Sequence, residues 1–176
     1  MPSADVMRIG GWAAYVSGVV AAIGLVFLIA LYVSFFVGSD LAGVFGWVND
    51  ALVMVQYAFG VPLAVALHTL LRPRNPRWSR VALAVGITGM AAVVVLQALL
   101  VLGVLTFQQQ IVPLAIALLV GVGTWLVATG YLARAILPHS LRMSLLAVPY
   151  LGYPIWAFWM GTHLLSRAVP GQGRGA

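Results

Sequence analysis

Residues 46–74 read GWVNDALVMVQYAFGVPLAVALHTLLRPR, and the fold class turns on this stretch. A helix over it, rising about 1.5 Å per residue, is long enough to cross a hydrocarbon core of roughly 30 Å. Yet it holds Asn49 and Asp50 near its start, Gln56 and Tyr57 inside, and His68 just before an arginine cluster. Asn and Asp are favoured helix N-caps, because their side chains satisfy free backbone N–H groups and a carboxylate suits the positive end of the dipole. On that reading the helix begins near residue 50, with Phe45, Gly46 and Trp47 at the interface. The other reading makes the pair part of a binding site. Gln56 follows Asn49 by two helical turns and shares its face. Pro62 sits mid-span, where it kinks the helix or leaves a carbonyl free. His68, alone near the far end, reads as an interfacial or hydrogen-bonded residue.

Composition extends this reading to the whole chain. Only 7% of residues are charged and 63% are hydrophobic, where a soluble domain carries about a quarter charged. The surface therefore faces lipid. A length of 176 residues leaves room for one domain once several spans are placed. The nine cationic residues are all arginines at the ends of apolar segments, where they orient helices. A nucleic-acid binder instead clusters its basic residues on a soluble face, so no nucleic acid is expected as partner. The absence of cysteine excludes disulfides, thiolate metal sites and a cysteine nucleophile.

The spacing predicts an all-α integral membrane bundle of about five transmembrane helices, at 9–37, 45–71, 81–107, 111–136 and 145–165, with a disordered tail over 167–176. The first apolar run is about twice as long as a signal-peptide core and reads as an uncleaved span. Within it Gly10, Ala14, Gly18 and Ala22 recur every fourth residue. Small faces of this kind let helix backbones approach closely in lipid; this one serves packing within the chain or a homodimer. RPRNPRWSR, residues 72–80, reads as a surface loop closed to helix by its prolines. Gln108, Gln109 and Gln110 read as an uncharged turn. Gly121, Gly123 and Thr124 give the fourth span a small face, and Arg134, His139 and Arg142 surround the turn after it.

Placing the N-terminus inside puts seven arginines on the cytoplasmic side and only Arg167 and Arg174 outside. The positive-inside rule thus predicts a cytoplasmic N-terminus and an external C-terminus. Pro149 and Pro154 leave a second path, in which the last segment is re-entrant and the tail arginines return inside. The lysine-free, Ala/Val/Leu/Arg-rich composition points to a GC-rich bacterial genome, hence a bacterial inner membrane.

The usual parts of membrane enzymes are missing: no pair of histidines at matched depth for haem, no second intramembrane carboxylate, no glycine-flanked serine nucleophile, no phosphate loop and no metal cluster. No catalytic residue, metal or cofactor is expected. What remains is a set of polar groups that depth arithmetic brings together. Asp50 lies about five residues inside the outer start of its span and Gln97 about ten short of the outer end of the next, within approximately 15 Å of the surface. Tyr32 and His163 are expected at similar heights. Asn49, Asp50, Gln56, Gln97 and His163 thus form a candidate outward-facing ligand site, since polar residues in lipid usually face the bundle interior. Alternatively they tie helix to helix, at about 0.6 kcal/mol each.

The Asn-Asp pair, the mid-span Pro62 and ALHTLLRP at residues 66–73 resemble a group of small polytopic bacterial membrane proteins of unassigned function. The resemblance covers mainly the first two spans. It implies an all-helical bundle and brings no functional residue with it. Two function classes follow: a non-enzymatic membrane component or accessory subunit that docks other membrane subunits, and a carrier or binding protein for a small or lipophilic ligand.

Overall fold

The computed structural model describes residues 3–133 and 152–168, and among these every regular element is helical. Four helices are long and apolar enough to cross a bilayer: α1 (Ala4–Phe36), α2 (Ala42–Leu71), α3 (Pro76–Val101) and α4 (Phe107–Ala133). A shorter helix, α5 (Gly152–Ala168), packs on α1. The helical membrane bundle expected from composition is the observed architecture. The turn with Arg134, His139 and Arg142, the first residues of the expected fifth span and the tail beyond 168 lie outside the described residues.

Capping chemistry places the starts of α1, α3 and α4 earlier than hydropathy alone does. Ser3 accepts the Val6 N–H (3.4 Å) and begins α1 in the polar leader. Its 33 residues make a helix of about 50 Å, which must tilt or project from a core of roughly 30 Å. Gly38 turns the chain at φ +68°, a conformation open to glycine, and α2 begins at Ala42. Asn49 and Asp50 therefore stand well inside α2, and the N-cap reading of that pair is overturned: AGVFGWV is apolar enough to continue the helix through it. Asn75 accepts the Trp78 N–H (3.2 Å) and starts α3 at Pro76, inside the stretch expected to be loop. Proline is tolerated there because the first helical N–H groups have no partner to lose. Thr106 and Gln109 form a reciprocal capping box, with Gln109 Oε1 accepting the Thr106 N–H at 2.9 Å. Gln108, Gln109 and Gln110 are thus the first turn of α4, not a loop.

Helices α1 to α4 run antiparallel, each to the one before it. His68, half-buried at the end of α2, donates through Nδ1 to the Ser79 carbonyl (3.1 Å) and hydroxyl (2.8 Å), and Ser79 Oγ donates back to the His68 carbonyl (3.3 Å). This clamp closes the α2–α3 turn and accounts for His68 without a ligand. At the other end Trp47 Nε1 donates to the Val101 carbonyl (3.4 Å). Exposed Trp12 and Trp78 stand toward one end, and Phe35, Phe36, Trp47 and Phe107 at the other. Amphipathic tryptophans such as Trp12, Trp78 and Trp47 mark the two interfaces of a spanning protein.

Small residues set the closest approaches. Gly10 faces Ala66 and Pro62 of α2, and a Cβ on Gly18 would stand 3.2 Å from Ala157 Cβ of α5. Gly10, Ala14 and Gly18 are buried as expected, but Ala22 is only half-buried, and Ser17, Ala21 and Gly24 carry the seam onward. The reason is angular. Steps of four advance about 40° each around the helix, so Ala22 stands roughly 120° from Gly10. Alternating steps of four and three, through 10, 14, 17, 21 and 24, keep one line against a partner. Between α3 and α4 the backbones nearly touch: a Cβ on Gly89 would lie 2.6 Å from Gly121 Cα.

The direction of α5 departs from a fifth full crossing and agrees with the second expected path, a last segment that turns back. Its first turn meets the middle of α1, at Ser17 and Gly18, and its last turns meet Gly10 and Gly11. Tyr15 bonds Thr162 at 2.9 Å. α5 therefore runs antiparallel to α1, from mid-depth back to the end that holds Ala4. Trp159 packs there beside Leu71 and Ala133. Arg167 lies at the same end as Arg8 and the Arg72–Arg80 cluster, whereas a fifth full crossing would have carried it to the opposite end. Antiparallel packing of Gly11 and Gly18 on Gly161 and Ala157 decides the direction, and no hydropathy pattern reports it. Arg167 and Ala168, expected in the tail, are helical.

Candidate functional site: a cavity and a polar chain in the far half of the bundle

Two polar features occupy the half of the bundle away from the arginines. The first is a chain across three helices. Gln110 Nε2 of α4 donates to Gln97 Oε1 of α3 at 2.8 Å, with the two residues only 1% and 3% exposed. At that burial each amide needs its partner. With its oxygen so occupied, Gln97 has only its amide N–H groups left to offer Asp50 of α2, whose carboxyl has the Gln97 and Asn49 side chains beside it. The chain Asp50–Gln97–Gln110 ties α2, α3 and α4 at one level and gives Asp50 donors rather than a cation.

The second feature is a cavity of about 270 Å³. Ala21, Gly24, Leu25 and Leu28 of α1 form one wall, and Leu118, Leu119, Val122, Gly123 and Leu126 of α4 the facing one. Asn49, Val53, Gln56 and Tyr57 of α2 form its back. Tyr153, in the first turn of α5, is the floor, and it is held in place: its hydroxyl donates to Ser17 Oγ (2.6 Å), which donates to the Gln56 carbonyl (3.1 Å). The first turn of α5 meets the middle of α1, which puts Tyr153 at that level. Much of the α4 wall is π-helical, over Ala117–Gly123. The wider turn sets Gly121 against Gly89 of α3 while Val122 and Gly123 face the cavity; such π segments are frequent at functional sites.

The expected site residues divide accordingly. Asn49 and Gln56, two turns apart on α2, both line the cavity as their spacing implied. Asp50 and Gln97 belong to the polar chain, one step around α2 from the cavity. His163 joins neither: it is stacked on Trp159 (ring centroids 5.6 Å apart, planes at 17°), toward the arginine end. It was placed in the outer half only by treating the last segment as a full crossing. Tyr32 is exposed on the lipid side. Reasoning from sequence missed Gln110, Ser17 and Tyr153. Gln110 had a signal, since Thr106 and Gln109 have the spacing of a capping box. Ser17 had one too, at seven residues from Gly10 and Gly24. Comparison with known proteins gives no match to a family model, a curated protein or a solved structure. The geometry alone therefore carries the functional argument.

Proposed function

We propose that this protein is a non-enzymatic, multi-pass membrane protein that binds a small, largely apolar ligand in the cavity between α1, α2 and α4. The carrying observation is that cavity, of about 270 Å³, walled by aliphatic side chains and backed by the amides of Asn49 and Gln56. Apolar walls with a few placed polar groups are the usual make-up of a small-molecule site. Its setting is a bacterial inner membrane with the N-terminus cytoplasmic. The gathering of Arg8, Arg72, Arg74, Arg77, Arg80 and Arg167 at one end supports that orientation, by the positive-inside rule. Native mass spectrometry after gentle extraction tests the reading: a retained small mass is expected. Ala115→Phe, which pushes a ring into the cavity from an exposed position on α4, should remove it without unfolding the bundle. No retained mass, or one that Ala115→Phe leaves unchanged, would overturn it.

The accessory-subunit reading has its own support in an apolar groove of about 820 Å³ between α3 and α4, lined by Ala84, Thr88, Ala92, Val112 and Val120. On that reading the same spectra contain a second polypeptide, and Ala92→Trp in the groove releases it.

A further inference from the structure

We infer that the cavity takes an uncharged, single-headed amphiphile drawn from the bilayer, an apolar chain ending in a hydroxyl or carbonyl, with Gln56 as the residue that meets the head. The inference rests on the binding reading above and gives its ligand a chemistry.

Charge is excluded first. No described lining residue carries one, and the described arginines all stand at the opposite end of the bundle. A phosphate or carboxylate head would therefore be buried without a cation. A cationic head fares no better, because Asp50 does not line the cavity and is engaged by Gln97 and Asn49. Burying an unpaired charge costs far more than burying a neutral polar group.

The head group follows from what is left unpaired. Asn49 is engaged with Asp50, and the Tyr153 hydroxyl is committed to Ser17. The Gln56 carbonyl accepts from Ser17, but no described residue hydrogen-bonds the Gln56 side-chain amide. That amide offers both a donor and an acceptor to the cavity. A hydroxyl answers both, and a carbonyl answers the donor.

The source follows from the walls. Leu119 lines the cavity and is also 73% exposed on the outer surface of α4. The cavity wall is thus continuous with the surface that meets lipid. A volume of about 270 Å³ holds a head and a few carbons, so a longer chain leaves past Leu119 among acyl chains.

The test varies the head on one chain. Purified protein in neutral-lipid nanodiscs is titrated with 1-dodecanol, dodecanoic acid and dodecylamine at neutral pH, and with 1-butanol as a water-borne head of the same kind. Occupancy is read by native mass spectrometry. Dodecanol should bind one to one, and the acid and amine at least about tenfold more weakly, since tenfold corresponds to only about 1.4 kcal/mol. Butanol should show no binding at matched concentration. Gln56→Leu should weaken dodecanol binding by about tenfold, the scale of one hydrogen bond, with an unchanged melting temperature as the folding control. Equal binding of the acid or the amine, tight binding of butanol, or full dodecanol binding by folded Gln56→Leu would each overturn the inference. If no probe binds while the extracted protein keeps a mass that Ala115→Phe removes, this ligand class falls and the binding reading stands. If no mass is retained either, the binding reading itself falls.

Discussion

Gln97 shows how much one side chain carries when its surroundings are dry. It accepts from Gln110 and donates toward Asp50, so replacing it strands a buried donor on one side and removes a carboxyl partner on the other. Gln97→Leu is expected to destabilise the bundle by about 1–3 kcal/mol, the cost of an unsatisfied buried group, measured by unfolding in mixed micelles. Gln110→Leu alone should cost a similar amount. The double variant should cost clearly less than the sum, because both partners are then apolar. Additive costs would show that the two amides do not act as a pair. Asp50 is tested in the same assay. Asp50→Asn keeps an oxygen for Gln97 and should stay within about 0.5 kcal/mol of wild type, whereas Asp50→Ala should lose about 1 kcal/mol or more. Equal losses in both would mean that the charge of Asp50, not its acceptor oxygen, holds the helices.

At the level of the helix, two glycines that hydropathy does not distinguish behave oppositely. Gly89 meets the backbone of Gly121, so any side chain drives α3 from α4. Gly43, in the first turn of α2, has open space where a Cβ would go. Gly89→Ala is therefore expected to lower the melting temperature, while Gly43→Ala is neutral or raises it, since alanine is favoured over glycine by up to about 1 kcal/mol in a helix. Gly18→Leu should separate α5 from α1, where the Cβ position is already within 3.3 Å of the Pro154 carbonyl. Because Tyr153 follows α5, that variant should also loosen the cavity floor. Protease sensitivity of α5 reports it, and an unchanged digestion pattern would rule out this packing role.

Across the whole molecule, the return of α5 to the end that holds Ala4 makes a prediction that the arginine count alone does not. The chain has no cysteine, so single cysteines at Ser39, Asn75, Gln109 and Ser166 can be labelled in intact cells with a membrane-impermeant reagent. Ser39 and Gln109 should react. Asn75 and Ser166 should both be protected, because the turn after α2 and the end of α5 share one face of the membrane. Labelling of Ser166 together with Ser39 would restore a fifth full crossing and overturn this arrangement. Gathering the described arginines at one end also means that the positive-inside bias is stronger than the sequence count suggests.

The helical membrane class and the four long apolar helices were legible in the chain, because hydropathy acts locally and lipid gives no other solution for backbone polar groups. So was the shared face of Asn49 and Gln56, which helical periodicity dictates. Helix starts were legible only where capping residues were weighed against hydropathy, as Asn75-Pro76 and Thr106–Gln109 show. Tertiary structure chose between the two paths that Pro149 and Pro154 left for the last segment, and it alone decided the pairing of Gln97 with Gln110 and the contact of Ser17 with Tyr153. Each joins residues far apart in the chain or on different helices. In lipid, where apolar faces gain nothing by meeting, shape and hydrogen bonding choose the partner. Gly161 closing on Gly11 sends α5 back toward the arginines. That return sets Tyr153 as the floor of the cavity between α1 and α4.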